Sequence, residues 1–195
     1  MTRYLLLLLV TSIGFSQEIF RDERFGFSME RPADWLQAKT GEAIENASER
    51  IQLPPEKLQE LLRSHRGSID VVAFYKYDLN SVKGVIPTIK ILLRSNPTKS
   101  ASDFKQMIGQ SFSSLKKSFP DFTVTVPPTP VKIGEKTGIH MKGLNKLETK
   151  YGVEEVRTII YAIPHGDLFY QLNFMDTSKD DCRALFTQIL ASIKI

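Results

Sequence analysis

The sequence predicts an α+β protein: a mostly antiparallel sheet of six or seven strands with helices covering both faces. Three observations predict it. Short runs with an apolar residue at every second position recur along the chain, separated by Gly, Pro, Asn and Asp. Two longer stretches, 100–119 and 178–193, repeat their apolar residues at helical spacing instead. One strand, around Ile159 to Ile163, is apolar on both faces, so its middle needs cover on both sides.

Residues 1–16 stand apart from this pattern. Arg3 and the amino terminus precede an unbroken apolar run, Leu5 to Val10, which Thr11 to Phe15 continues weakly. Gly14 and Ser16 then place small side chains just before Gln17. This is the pattern of a cleaved secretory signal peptide. A membrane span needs about 20 apolar residues, and Gln17-Glu18 arrives too early for one. The expectation is therefore an exported protein, periplasmic or secreted, with no stable membrane insertion after cleavage. Residues 17–195 are expected to form a single domain. A domain of that size buries about 70% of the surface its unfolded chain exposes, so it needs no metal or disulfide staple. The lone Cys182 has no internal partner and is expected to be buried.

Phe25, Phe27 and Met29 alternate with Gly26, Ser28 and Glu30, which makes a strand. Pro32 ends it, because proline gives no N–H to a ladder. Trp35 follows as an anchor over the edge or end of the sheet, with ligand stacking as the other use of its ring. Thr40 to Leu53 is polar and irregular. Pro54-Pro55 can open a short helix with Leu58, Leu61 and Leu62 on one side, His65 near its end and Gly67 as its cap. Ile69 to Tyr77 is a strand, with Ile69, Val71, Ala73, Tyr75 and Tyr77 on one face. Ile86 to Arg94 is another, with Ile89, Ile91 and Leu93 on one face.

Ser100 to Phe119 is the clearest helix. Ser100 and Asp103 make a capping-box start, Phe104, Met107, Ile108, Phe112 and Leu115 form the apolar stripe, and Pro120 stops it. Phe122 to Val126 is a short strand and Pro127-Pro128-Thr129-Pro130 a stiff connector. Val131 to Ile133 and Ile139 to Leu144 flank the turn Gly134 to Gly138. Glu155 to Ile163 and Leu168 to Met175 form a second hairpin around Pro164 to Asp167. Ser178 to Ile193 is the last helix, with Ser178 and Asp181 as a second capping box and Cys182 on its buried stripe.

No string carries a reaction signature. Gly134-Glu135-Lys136-Thr137-Gly138 has a Lys-Thr pair near glycines, but the spacing is not that of a phosphate loop and a strand follows. His65, His140 and His165 sit on three elements with no metal-ligand spacing. No nucleophile elbow occurs. Asp180-Asp181 opens a helix, and Glu154-Glu155 enters a strand where neighbours point apart. No cofactor is expected. The net charge of +4 is too small and too spread for nucleic acid. One local excess lies in 131–150, with Lys132, Lys136, Lys142, Lys146 and Lys150 against Glu135 and Glu148. It is either the solvated face of a hairpin or a docking patch for an acidic protein or anionic surface. The candidate docking residues are Lys136, Lys142 and Lys146, with Tyr75 and Tyr77 if their end of the strand is exposed.

"FGFSMERPADW", Phe25 to Trp35, resembles the opening of PsbP-like proteins and the Mog-type fold that groups with them. "LFYQLNFMDTSKDDCRALFTQILASIKI", Leu168 to Ile195, resembles that family's ending, where a last strand meets an acidic turn and a closing helix. The resemblance implies an α/β/α sandwich around an antiparallel sheet. It implies a mainly non-enzymatic protein that docks onto a larger assembly, and it supplies no catalytic residues. The segment Ala38 to Arg66 is longer than the family's usual loop. The leading expectation is an exported, non-enzymatic binding or accessory module that docks onto an unidentified envelope or secreted protein. Two others stand beside it: a carrier of an apolar small molecule or lipid, with a cavity between Phe104–Phe119 and the sheet, and a hydrolase whose site is not local in sequence.

Overall fold

The computed structural model describes residues 18–23, 25–38 and 68–195. The expected leader, nearly all of the 38–66 insertion, the helix after Pro54-Pro55 and His65 lie outside the described residues.

The chain opens with a hairpin, β1 (Ile19–Asp22) and β2 (Phe27–Glu30), turned through Gly26 at φ 67°. Next come β3 (Leu36–Gln37), β4 (Ser68–Tyr75), β5 (Thr88–Ser95), α1 (Ala101–Ser118), β6 (Thr123–Ile133), β7 (Lys136–Thr149), β8 (Gly152–His165), β9 (Leu168–Thr177) and α2 (Arg183–Ser192). Strands β3 to β9 form a seven-stranded sheet in the order β3-β4-β5-β9-β8-β7-β6, with every pairing antiparallel. The α+β class and the antiparallel sheet match the sequence expectation. The strands β1 and β3 were not foreseen.

Successive residues of β8 alternate between two apolar clusters, as the period of a strand requires. Ile159 and Ile163 belong to a cluster with Phe27, Met29, Trp35 and, from α2, Phe186 and Ile189. Ile160 and Ala162 belong to another with Phe104, Ile108 and Phe112 of α1. Trp35 is buried and packs edge-on against Phe186, so it anchors the exit of β2 to the last helix. The β1–β2 hairpin is tied to the chain's end as well: Ser28 and Lys194 exchange two backbone hydrogen bonds of 2.9 Å.

Helix α1 follows the expected limits. Ser100 Oγ accepts the Asp103 N–H at 3.0 Å, Lys116 and Lys117 lie in the last turn, and Phe119 caps the end before Pro120. Strand β5 also keeps its expected face, with Ile89, Ile91 and Leu93 buried.

Elsewhere the structure corrects the sequence reading. Pro127 to Pro130 is not a connector: β6 runs through it as one strand. Proline is tolerated there because β6 ends the sheet, and its register shifts at Val124/Val126 and Val126/Thr129. The turn after β6 is only Gly134-Glu135, with Gly134 at φ 56°, so Lys136, Thr137 and Gly138 belong to β7. His165 and Pro164 belong to β8, and the next turn is Gly166-Asp167. A shift between Asp70 and Val72 breaks the face expected from Ile69 to Tyr77: Ile69 is exposed while Ala73 and Tyr75 are buried. The last helix starts at Arg183, and Ser178 with Asp181 makes no capping box. Asp176 takes over: its Oδ2 accepts the Cys182 N–H at 2.8 Å, just before the first turn of α2.

Candidate functional site

Lys136, Lys142 and Lys146 occupy even positions of β7, so the pleat turns them to one side of the sheet. From Lys136 to Lys146 that row spans about 33 Å at a strand's rise per residue. It is a surface rather than a pocket. Lys136 is engaged, with its Nζ 2.9 Å from His165 Nδ1 across the hairpin ends. Lys146 is exposed and Lys142 half-exposed. Tyr75 is buried, 7% exposed, and offers no ring to a partner, so the condition set for it by sequence fails. Tyr77, just past the end of β4, is 37% exposed, with the Lys76 ammonium 5.4 Å from its ring.

Sequence reasoning missed a charged clasp where β9 meets α2. Arg157 on β8 grips Asp176 on β9 with Nε on Oδ1 and Nη2 on Oδ2, each at 2.7 Å. Arg157 Nη2 also donates to the Thr177 carbonyl at 3.0 Å and lies 3.1 Å from Asp181. Lys76, beyond β4, pairs with Asp180, and its Nζ is 3.8 Å from Cys182 Sγ. Burial pulls the Lys76 ammonium down, but its hydrogen bond to Asp180 and the nearby negative groups outweigh this and hold it above the usual lysine range. Burial pushes the Cys182 thiol up to about 11 against the pull of Lys76, so it is a neutral thiol at pH 7. The hydrogen bonds from Arg183 hold Asp181 well below the usual carboxylate range. With each ion partnered, the clasp fixes the entry to α2 and leaves neither a free amine nor a thiolate.

At the same end of the sheet the β7–β8 hairpin projects. The last β8–β9 pair is Val156 with Thr177, yet β7 and β8 continue to pair through Thr149 with Gly152. Its turn carries Tyr151, 47% exposed, and Val153 beside it is 60% exposed. Thr149 Oγ1 donates to the Gly152 carbonyl at 2.8 Å and accepts the Tyr151 N–H at 3.1 Å. From the β4–β5 loop, the Val85 N–H donates to Glu154 Oε2 at 2.8 Å. The same loop brings Lys83 Nζ to 5.6 Å from the Tyr151 ring, and Lys150 Nζ lies 5.2 Å from it. The local signal for this tip was Thr149-Lys150-Tyr151-Gly152, where a tyrosine inside a tight turn has no sheet face to bury into. Nothing local marks Lys83 as its neighbour.

His140 stacks on Tyr161 with ring centroids 5.8 Å apart, and its Nδ1 is buried without a hydrogen-bond partner. Burial first, then the Lys142 charge, holds it below the usual imidazole range. Among the described residues no three His, Cys, Asp or Glu side chains converge to hold a metal ion. Beneath α1, on the side where a carrier's cavity was expected, Phe104 packs edge-on against Phe169 at 5.5 Å and Phe112 against Phe122 at 5.4 Å. No helix among the described residues is long and apolar enough to cross a membrane.

No protein-family model matches the chain, and no curated protein matches it. Solved structures do. A crystal structure from Bacteroides thetaiotaomicron VPI-5482 shares 15% identity with a TM-score of 0.44, over 86% of this chain, which spans only 44% of that one. The crystal structure of LpqN, involved in cell envelope biogenesis of Mycobacterium tuberculosis, shares 12% identity over 93% of this chain and 86% of that one, with a TM-score of 0.49. The solution structure of cyanobacterial PsbP (CyanoP) from Synechocystis sp. PCC 6803 shares 9% identity with a TM-score of 0.53, over 94% of this chain and 95% of that one. Identity this low speaks of fold alone, and the two chains run alongside each other for nearly their whole lengths. The fold is PsbP-like.

Proposed function

We propose that this chain is a non-enzymatic accessory module that is exported and docks onto another envelope or secreted protein. We read its body as an α/β/α sandwich, α1 on one face of the sheet and α2 on the other, a reading supported by the alternation of β8 between their clusters. One observation carries the functional reading. Some of the described cations are tied up inside the fold and others are not. Lys76, Lys90, Arg157 and Arg183 are spent on ion pairs within the fold. Lys142 and Lys146 on β7, Lys150 at its tip and Lys83 beside that tip make no ion pair among the described residues. Lys83 and Lys150 flank Tyr151, which with Val153 stays exposed at the tip, and this joining of apolar surface to positive charge supports a protein-binding surface. The test is mild crosslinking of the tagged full chain in its native cells. The expected result is a discrete heteromeric species that weakens as salt rises. A chain that stays monomeric throughout would overturn the reading.

A further inference from the structure

We propose that the docking contact is the β7–β8 tip, and that its partner is a protein surface that sets carboxylates around an aromatic-accepting hollow. This rests on the docking function above and names its site and its partner's chemistry.

The tip is built in advance. Leu147 and Thr149 are buried at its base, the Thr149 hydroxyl closes the turn, and Glu154 anchors it to the β4–β5 loop. A contact group already held in place loses little entropy on binding. Tyrosine at such a position supplies a large rigid area with few torsions to freeze. Here Tyr151 and Val153 keep 47% and 60% of their surface in water.

The charges around the ring define the partner. Lys83 and Lys150 both approach Tyr151, so their ammonium groups lie within about 11 Å of each other. Both ammonium groups lie at the ring, so together they set one positive patch around it. Neither makes an ion pair among the described residues, and the nearby Glu154 carboxylate is taken by the Val85 N–H. A partner that places carboxylates near both complements that patch while its apolar surface covers the ring. An anionic bilayer fits less well. Glu148 and Glu155 are exposed on the same hairpin, and a uniformly negative surface repels both. A protein surface can pair them individually.

The test uses the full chain in its native cells, with photoreactive benzoylphenylalanine placed in separate chains at Tyr151, Lys142 and Thr187. Thr187 is exposed on α2 and serves as the control. The expected result is a discrete protein adduct from position 151, absent from 187, whose crosslinked peptide carries Asp or Glu. Lys83→Glu with Lys150→Glu should cut its yield by about tenfold or more, while Lys83→Arg with Lys150→Arg retains it. A protein adduct from 142 but not 151 overturns this assignment and leaves the docking function standing. No adduct from any position overturns both. A phospholipid adduct at 151, a crosslinked peptide without acids, or equal adducts at 187 overturns the proposal too.

Discussion

Arg157 and Asp176 hold each other through two hydrogen bonds of 2.7 Å at a place where the Asp176 side chain has no exposed surface. Asp176 also accepts the Cys182 N–H, so one carboxylate joins β8, β9 and the start of α2. A buried ion pair contributes little over apolar side chains of the same shape, but breaking it strands a charge. Arg157→Met is therefore expected to lower unfolding free energy by about 3–5 kcal/mol. Arg183→Ala, which removes only the exposed partner of Asp181, should leave the urea midpoint unchanged. Urea melts of the two variants check both statements, and an Arg157→Met midpoint equal to the parent's would refute the clasp.

Gly143 makes the second prediction. A Cβ built there would lie 2.1 Å from Cζ of Phe122, whose ring packs edge-on against Phe112 of α1. The ring occupies the space a side chain at 143 would need. Gly143→Ala is expected to cost about 1–3 kcal/mol through overpacking. Combining it with Phe122→Leu should cost less than the two changes added together, because the smaller side chain gives way. Strict additivity in thermal melts would show that the two positions do not compete for one space.

His165 sets a pH dependence. Burial first, and then the Lys136 ammonium 2.9 Å away, hold its imidazole below the ordinary value of 6.5. The ring also meets Tyr170 edge-on at 5.4 Å. The unfolded chain therefore takes up this proton first as pH falls. The stability tied to neutral His165 is complete above about pH 6.5 and is lost as pH falls through that value towards the folded one. His140 contributes with the same sign. Urea midpoints at pH 7.5 and 5.0 should fall for the parent chain and fall less for His165→Gln; identical slopes would exclude the Lys136–His165 contact as a contributor.

Elements whose causes are local were legible in the sequence. Helix α1 carries its stripe, its Ser100 cap and its Pro120 stop within its own segment, and β5 carries its own alternation. Elements decided by distant partners were not. Ile19–Asp22 is a strand because Phe27–Glu30 pairs with it, and nothing in four residues announces that. Ser178 and Asp181 have the spacing of a cap, but the helix starts at Arg183, where Asp181 accepts the Arg183 N–H and Asp176, fixed by Arg157, accepts that of Cys182. The lysines of β7 could be read as a run, because a strand repeats its faces. Lys83 reaches Tyr151 only through the fold of the β4–β5 loop, so the sharper part of the surface was hidden.

The last prediction concerns the prolines that sequence reading took for a break. Strand β6 ends the sheet among the described residues and runs for 11 residues. An edge of that length offers unpaired N–H and C=O groups to any other strand, including another copy of itself. Pro127, Pro128 and Pro130 have no N–H to offer, and the shifts at Val124/Val126 and Val126/Thr129 bend the edge away from a straight ladder. The missing donors weaken the edge as a template, while Thr129, Pro130, Val131 and Lys132 keep their register with β7. Replacing all three prolines with threonine restores the donors and adds β-branched side chains suited to a strand. The triple variant is expected to associate at concentrations where the parent does not, read as a rise in mass by light scattering after size exclusion. Pro130→Thr alone should show a smaller rise, because two of the gaps remain. If the triple variant keeps the parent's mass across a hundredfold range of concentration, the prolines have some purpose other than guarding this edge.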